Sequence, residues 1–260
     1  MRNCIVYLLL FLTPVTVLAE TAEEKGLAIA TEVDRRDNGF GDYVSNMEMV
    51  LRNKHGQESR RKMRRRTLEV IGDGDKSLTI FDTPRDVKGT AFLTFSHKIG
   101  DDDQWLFLPA LKRVKRISSR NKSGSFMGSE FAYEDIASQE IEKYTYKYLG
   151  DETYLDMDCF VLERYPVDKK NSGYTRMVSW LDKDQYRPFK VVYYDRKGSH
   201  LKTLIFSDYK QYLGSYWYAH SLVMKNHQNG KVTELIMSDY RFRTGLTDRD
   251  FSKNSLKRAK

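Results

Sequence analysis

Cysteine is nearly absent from this chain of 260 residues, which carries only Cys4 and Cys159. Cys4 precedes the apolar run IVYLLLFL inside Met1 to Ala19, a segment with one early charge, Arg2, and VLA before Glu20. That order of charged, apolar and small residues is the pattern of an export signal cleaved after Ala19. The run is too short for a membrane span, which needs about 20 apolar residues. Removal of the signal leaves Cys159 alone, which excludes an intramolecular disulfide and leaves the fold to its apolar core. Flanked by strand-forming residues in DMDCFVL, Cys159 reads as a buried thiol rather than a nucleophile.

Catalytic motifs are missing as well. The chain has no serine-hydrolase elbow, HExxH pair, phosphate-cradling GxxxxGK[ST] or dinucleotide GxGxxG. Five histidines, at positions 55, 97, 200, 220 and 227, are scattered without metal-ligand spacing. GDGD at Gly72 and GDDD at Gly100 lack the longer ligand series of a calcium loop and read as hairpin turns. Glu134 and Asp135 stand side by side with no second acid placed opposite them by any pattern. No metal, cofactor or enzymatic activity is therefore expected. Long low-complexity linkers and repeats are lacking too, so residues 20–260 read as one domain.

What the chain has is aromatic residues, at 13%, and a net charge of +8. Aromatics favour sheet. The charge suits an anionic membrane surface or an acidic partner, and in an exported protein nucleic acid is not the partner it implies.

AEEKGLAIATEVDRRDNGFG reads as an amphipathic helix of about three turns. The apolar period then drops to two through NMEMVLR, RTLEVI, SLTIFD, GTAFLTF, QWLFLP and KRVKRIS. It resumes in KYTYKYL, DCFVLERY, TRMVSWLD, FKVVYYD, LKTLIFSD, YWYAHSLVMKN and VTELIMSDYRF. Short strands joined by turn chemistry imply an antiparallel sheet that curls. The tail TDRDFSKNSLKR reads as a last short helix capped by Thr247. Several strands are apolar on both faces, which leaves a surplus of apolar surface on the concave side. It is either an apolar cavity or a core filled by the protein's own side chains. Strand-borne candidates for its wall are Phe81, Phe92, Leu93, Phe95, Trp105, Phe107, Trp180, Val191, Tyr193, Leu204 and Phe206. Register alone decides which of them face inward.

Two basic runs supply candidate contacts to anions. ESRRKMRRRTLEV places Arg60, Lys62, Arg64 and Arg66 on one strand face, and LKRVKRIS places Lys112 and Arg116 on another. The competing reading is a solvated face that blocks edge pairing.

WLFLPALKRVKRISSRNKSGSFMGSEFAYEDI, Trp105 to Ile136, resembles the exported outer-membrane lipoprotein-sorting proteins related to the carrier LolA and its acceptor LolB. So do RPFKVVYYDRKGSHLKTLIFSDYK and VTELIMSDYRFRTGLTDRDFSKNSL. The resemblance implies an unclosed antiparallel β-barrel of ten to twelve strands, with two or three helices over its concave side. It further implies a periplasmic, non-enzymatic carrier of lipid or lipoprotein acyl chains, of a branch associated with RND-type exporters. Within GSFMGSEFAYEDI, Gly124 and Gly128 permit a turn, and Ser129 can cap a short helix with Glu130 in its first turn. Phe126, Met127 and Phe131 would then point inward, either as a lid over the cavity or as a plain packing turn. The readings that compete with a carrier are a scaffold with a filled core and a hydrolase with a motif-free acid pair.

Overall fold

The computed structural model describes residues 19–258, so the export-signal segment lies, but for Ala19, outside the described residues. Helix α1, Ala22–Asp37, opens on Thr21, whose side chain accepts from the Glu24 amide while the Glu24 carboxylate accepts from the Thr21 amide. Reciprocal capping of this kind satisfies two of the four orphan donors of a helix start. Gly26 is required there: a Cβ would lie 2.8 Å from the backbone nitrogen of Tyr148, so only glycine lets α1 approach the strand beneath it.

Thirteen strands follow, one more than the upper expectation. They are β1 Asp42–Arg52, β2 Glu58–Leu68, β3 Lys76–Thr83, β4 Ala91–Phe95, β5 Asp103–Leu108, β6 Arg113–Ile117 and β7 Tyr144–Tyr154. After these come β8 Met157–Pro166, β9 Tyr174–Asp182, β10 Pro188–Asp195, β11 His200–Tyr212, β12 Tyr216–Asn226 and β13 Val232–Phe242. They form one antiparallel sheet in the order β6-β5-β4-β3-β2-β1-β13-β12-β11-β10-β9-β8-β7. First and last strands pair in the middle, so β6 and β7, neighbours in sequence, become the two free edges. The sheet is an unclosed barrel whose gap lies between them.

One boundary differs from the period-two reading. β2 starts at Glu58, where the basic run begins, but ends at Leu68, and Ile71 is 99% exposed in the turn after it. The basic run is itself the strand. Its inward positions, Arg61, Met63 and Arg65, carry little apolar signal, so the alternation of the outward basic residues marks this strand better than hydrophobic periodicity does.

Segment 118–143, which includes the single-turn helix α2, Tyr133–Ile136, joins the edges by passing through the inside. Gln104 of β5 donates to the Tyr133 carbonyl, Thr233 of β13 accepts from the Glu130 amide, and Lys202 of β11 donates to the Glu130 carbonyl. So short a stretch can touch β5, β11 and β13 on the same face only because the sheet curls around it. This is the concave face. Its core contains Met47, Met49, Met63, Phe81, Phe92, Val191, Tyr193, Leu204 and Met224, with α1 extending the layer over Tyr146, Leu162 and Leu181.

Helix α3, Lys253–Arg258, does not join that layer. Phe251 and Leu256 cover Leu78, Ile80, Leu93 and Trp105 on the convex side. Strands β3 to β5 are apolar on both faces because both faces are covered. Thr247 does cap the tail, but its partner is Asp250 in a 3-10 turn, and α3 follows that turn.

Candidate functional site

Segment 118–143 is held by local bonds before it meets the sheet. The Phe126 amide donates to the Phe131 carbonyl at 2.7 Å and the Tyr133 amide to the Gly124 carbonyl at 3.0 Å, which folds 124–133 into a tight loop. The turn requires left-handed backbone at Met127, φ 52°, and at Gly128, φ 76°. Ser129 does not start a helix. It ends the 3-10 turn Phe126–Gly128, and its Oγ donates to the Phe126 carbonyl at 2.7 Å. The amide that opens α2 is capped instead by Asp135, which accepts from Ala132 at 2.7 Å.

Phe126 and Phe131 are each 2% exposed and Met127 is half-buried. The Phe126 ring lies 5.0 Å from Phe92, 5.7 Å from Tyr133 and 6.1 Å from Phe81, centre to centre, in tilted and edge-on geometries that aromatic pairs favour. Arg61 of β2 donates to the Met127 carbonyl. The loop fills the concave side. Seven of the nine methionines, Met127 included, line this layer, and methionine packs adaptably.

A polar knot anchors the loop. Lys202 Nζ meets Asp135 at 2.6 Å with both side chains about 5% exposed or less. Asp135 also accepts from the Tyr174 hydroxyl at 2.9 Å, and Asn226 donates to Glu130 at 2.7 Å. Glu134 accepts from Ser172 Oγ and the Gly173 amide, both at 2.8 Å. Burial pushes its carboxyl up, against the pull of those bonds. Gly173 is needed at that point, where a Cβ would sit 2.9 Å from Ser123. Burial likewise raises the Tyr174 hydroxyl well above its ordinary range.

The candidate wall residues divide between the faces. Phe81, Phe92, Val191, Tyr193, Leu204 and Phe206 belong to the concave layer. Leu93, Phe95, Trp105 and Phe107 belong to the convex layer beneath the C-terminal tail. Trp180 pairs across the sheet with Lys190 and Val161, away from Ser179 and Leu162, and so faces outward. Its ring lies 3.4 Å from the Lys190 ammonium and its Nε1 donates to Glu152. Arg60, Lys62, Arg64 and Arg66 share the convex face of β2, but not as free charges throughout: Arg60 meets Glu58 at 3.0 Å and Arg64 grips Asp82 at 2.8 Å. Lys112 sits exposed in the turn before β6, and Arg116 pairs with Asp103 at 2.5 Å. Lys202 and Tyr174 were not singled out from sequence, because nothing local marks a lysine on a strand as buried.

Where the sheet fails to close, a cleft of about 290 Å³ runs between Ile117 of β6 and Tyr144 of β7, with Gln104, Glu134 and Pro166 in its wall. Two ion pairs brace it, Lys122 with Asp168 and Lys143 with Asp102.

No curated protein matches the sequence. A family model described as an uncharacterized protein matches residues 73–258. A domain from Vibrio parahaemolyticus, described as an outer membrane lipoprotein-sorting protein, is 65% identical with TM-score 0.89, over 90% of this chain and 99% of that one. A DUF1329 family protein from Desulfovibrio piger is 32% identical with TM-score 0.86, over 91% and 99%. A LolA superfamily protein from Nitrosomonas europaea shares the fold, with TM-score 0.71 at 23% identity over 91% and 100%. The chain thus belongs to the family of outer-membrane lipoprotein-sorting proteins, whose fold is that of the LolA superfamily.

Proposed function

We propose that this protein is a periplasmic, non-enzymatic carrier that takes a lipid or lipoprotein acyl chain into the concave side of its sheet by displacing the loop 124–133. The observation that carries the reading is the nature of what fills that side. A thirteen-stranded sheet has its inner face closed over β1 to β5 and β9 to β13 by a short loop, held by side-chain bonds, rather than by a second layer of regular structure. The methionine-rich wall can repack around a different occupant. Export rests on the signal pattern of residues 1–19, the family likeness supports delivery toward the outer membrane, and an RND-type exporter is the partner that the sequence resemblance implies.

The energies allow the exchange. Burying Phe126, Met127 and Phe131 is worth about 1.5 to 3 kcal/mol each. An acyl chain gains about 0.8 kcal/mol per methylene. A dozen or more carbons can therefore match the loop, whereas a small apolar molecule cannot. Native mass spectrometry after gentle extraction tests the reading: co-purifying lipid, or uptake of an added fatty acid, is the expected result. A protein that stays empty in the presence of lipid is a scaffold with a filled core, the reading that the deep burial of Phe126 and Phe131 favours.

A further inference from the structure

Arg164 lies on the inner face of β8, opposite Tyr146 of β7 on one side and Met177 of β9 on the other. Tyr146 belongs to the layer under α1 and Met177 to the layer under the loop, so the guanidinium sits at the seam between two apolar packings. The other interior cations have partners: Lys202 has Asp135, Lys122 has Asp168, Lys143 has Asp102 and Arg61 has the Met127 carbonyl. Arg164 forms no ion pair or hydrogen bond among the described residues, and its Nε is fully buried without an acceptor. Its one contact of note is the Tyr144 ring, 4.8 Å from the guanidinium carbon. The residue as a whole is half-buried, and this cation–π contact, worth about 0.5 to 2 kcal/mol, offsets only part of the cost of holding its charge partly out of water without a counter-charge.

The surroundings suit an incoming anion. Tyr146 lies opposite Arg164, the Tyr144 ring lies against its guanidinium, and Tyr193 lies opposite Met177, the next residue on the same face of the sheet. Burial pushes all three hydroxyls up, and the Arg164 charge opposes that push. The Tyr193 hydroxyl makes no hydrogen bond of its own among the described residues. The nearby carboxylates are engaged elsewhere, Asp135 by Lys202 and Tyr174 and Glu134 by Ser172 and Gly173. The site also has an approach. Tyr144 and Pro166 line the cleft between the free edges, and Arg164 is the next inward-facing residue along β8 from Pro166, about 7 Å away at strand spacing.

We propose that Arg164 binds the headgroup of the cargo: its guanidinium and the Tyr193 hydroxyl receive the carboxylate or phosphate of an anionic single-chain lipid entering by that cleft. The inference rests on the carrier reading and narrows it to anionic lipids. Titration calorimetry of the full mature chain with oleate, oleoyl-lysophosphatidate, neutral monoolein and inorganic phosphate tests it. The wild type binds the two anionic lipids about tenfold or more tighter than monoolein, the range a charge-assisted hydrogen bond supplies. Arg164→Gln removes that preference and leaves monoolein affinity unchanged, while Lys88→Gln, which removes the same charge from an exposed loop, changes neither. Without lipid, Arg164→Gln melts no lower than the wild type, since it deletes a half-buried charge that has no ion-pair partner among the described residues. If Arg164→Gln does not fold, Arg164→Lys, which keeps the charge but not the two-pronged donor, gives an intermediate preference. Equal binding of oleate and monoolein by the wild type, or an unchanged preference in Arg164→Gln, overturns the headgroup role and leaves the carrier reading standing. Phosphate binding as tightly as oleate makes the site one for free anions and also overturns it. Failure of all three lipids to bind removes the carrier reading itself.

Discussion

Lys202 and Asp135 carry a large electrostatic stake, because both are buried and each is the other's counter-charge. Lys202→Met leaves Asp135 uncompensated, and a loss of about 3 to 5 kcal/mol is expected in chemical denaturation. Replacing both residues with apolar ones recovers much of that loss. A single replacement that costs under about 1 kcal/mol would mean that the pair is solvated and does not anchor the loop. Asp75 offers a pH test. Burial, and after it the charges of Asp37, Glu140 and Glu69, raise its carboxyl from 3.8 to about 7. A raised acid binds its proton more tightly in the folded state, so stability is greater below pH about 4 and declines as pH rises to about 7. Asp75→Asn should flatten that decline in melting temperature between pH 4 and 7, and an unchanged slope would place the titration elsewhere. Residues were the scale least legible in sequence. Phe92 and Leu93 are adjacent and both apolar, yet one faces the loop and the other the C-terminal tail. Asp135 was visible only as half of an acidic pair, since its partner lies 67 residues away on a strand whose register no local pattern fixes.

Elements were legible wherever alternation or turn chemistry was strong. The opening helix, the hairpins and the antiparallel order follow from period-two runs and from separators such as DRKGS and HQNGK. The loop 124–133 was hidden by its composition, which suits a rim lid, a packing turn or an interior plug equally well. Only the crossing between the sheet's two edges puts it inside. Two substitutions separate stability from ligand exchange at this scale. Leu256, fully buried under the convex face, should cost about 2 to 5 kcal/mol when changed to Ala, with no effect on acyl-chain binding. Phe126→Ala with Met127→Ala weakens the loop's competition for the concave side and should instead tighten binding of a fluorescent fatty acid several-fold in equilibrium titration, while the sheet remains folded by circular dichroism. Equal affinities would assign these two side chains to ordinary core.

At the scale of the whole molecule, the meander that meets itself at β1 and β13 and opens between β6 and β7 makes the edge-joining segment the natural moving part. The sheet's own strands are locked by ladders on both sides, whereas the loop depends on a few side-chain anchors, and local opening starts where such support is thinnest. The family and the curled antiparallel sheet could be read from three stretches of sequence. The filled interior could not, because filling depends on where a loop lies rather than on what it contains. Hydrogen exchange with mass spectrometry, with and without a saturating fatty acid, tests the central claim most directly. In the empty protein the amides of residues 124–136 should exchange faster than those of β1 and β2, and faster still when the chain is bound and the loop is displaced. Protection of that stretch equal to the central strands, unchanged by ligand, would contradict the account.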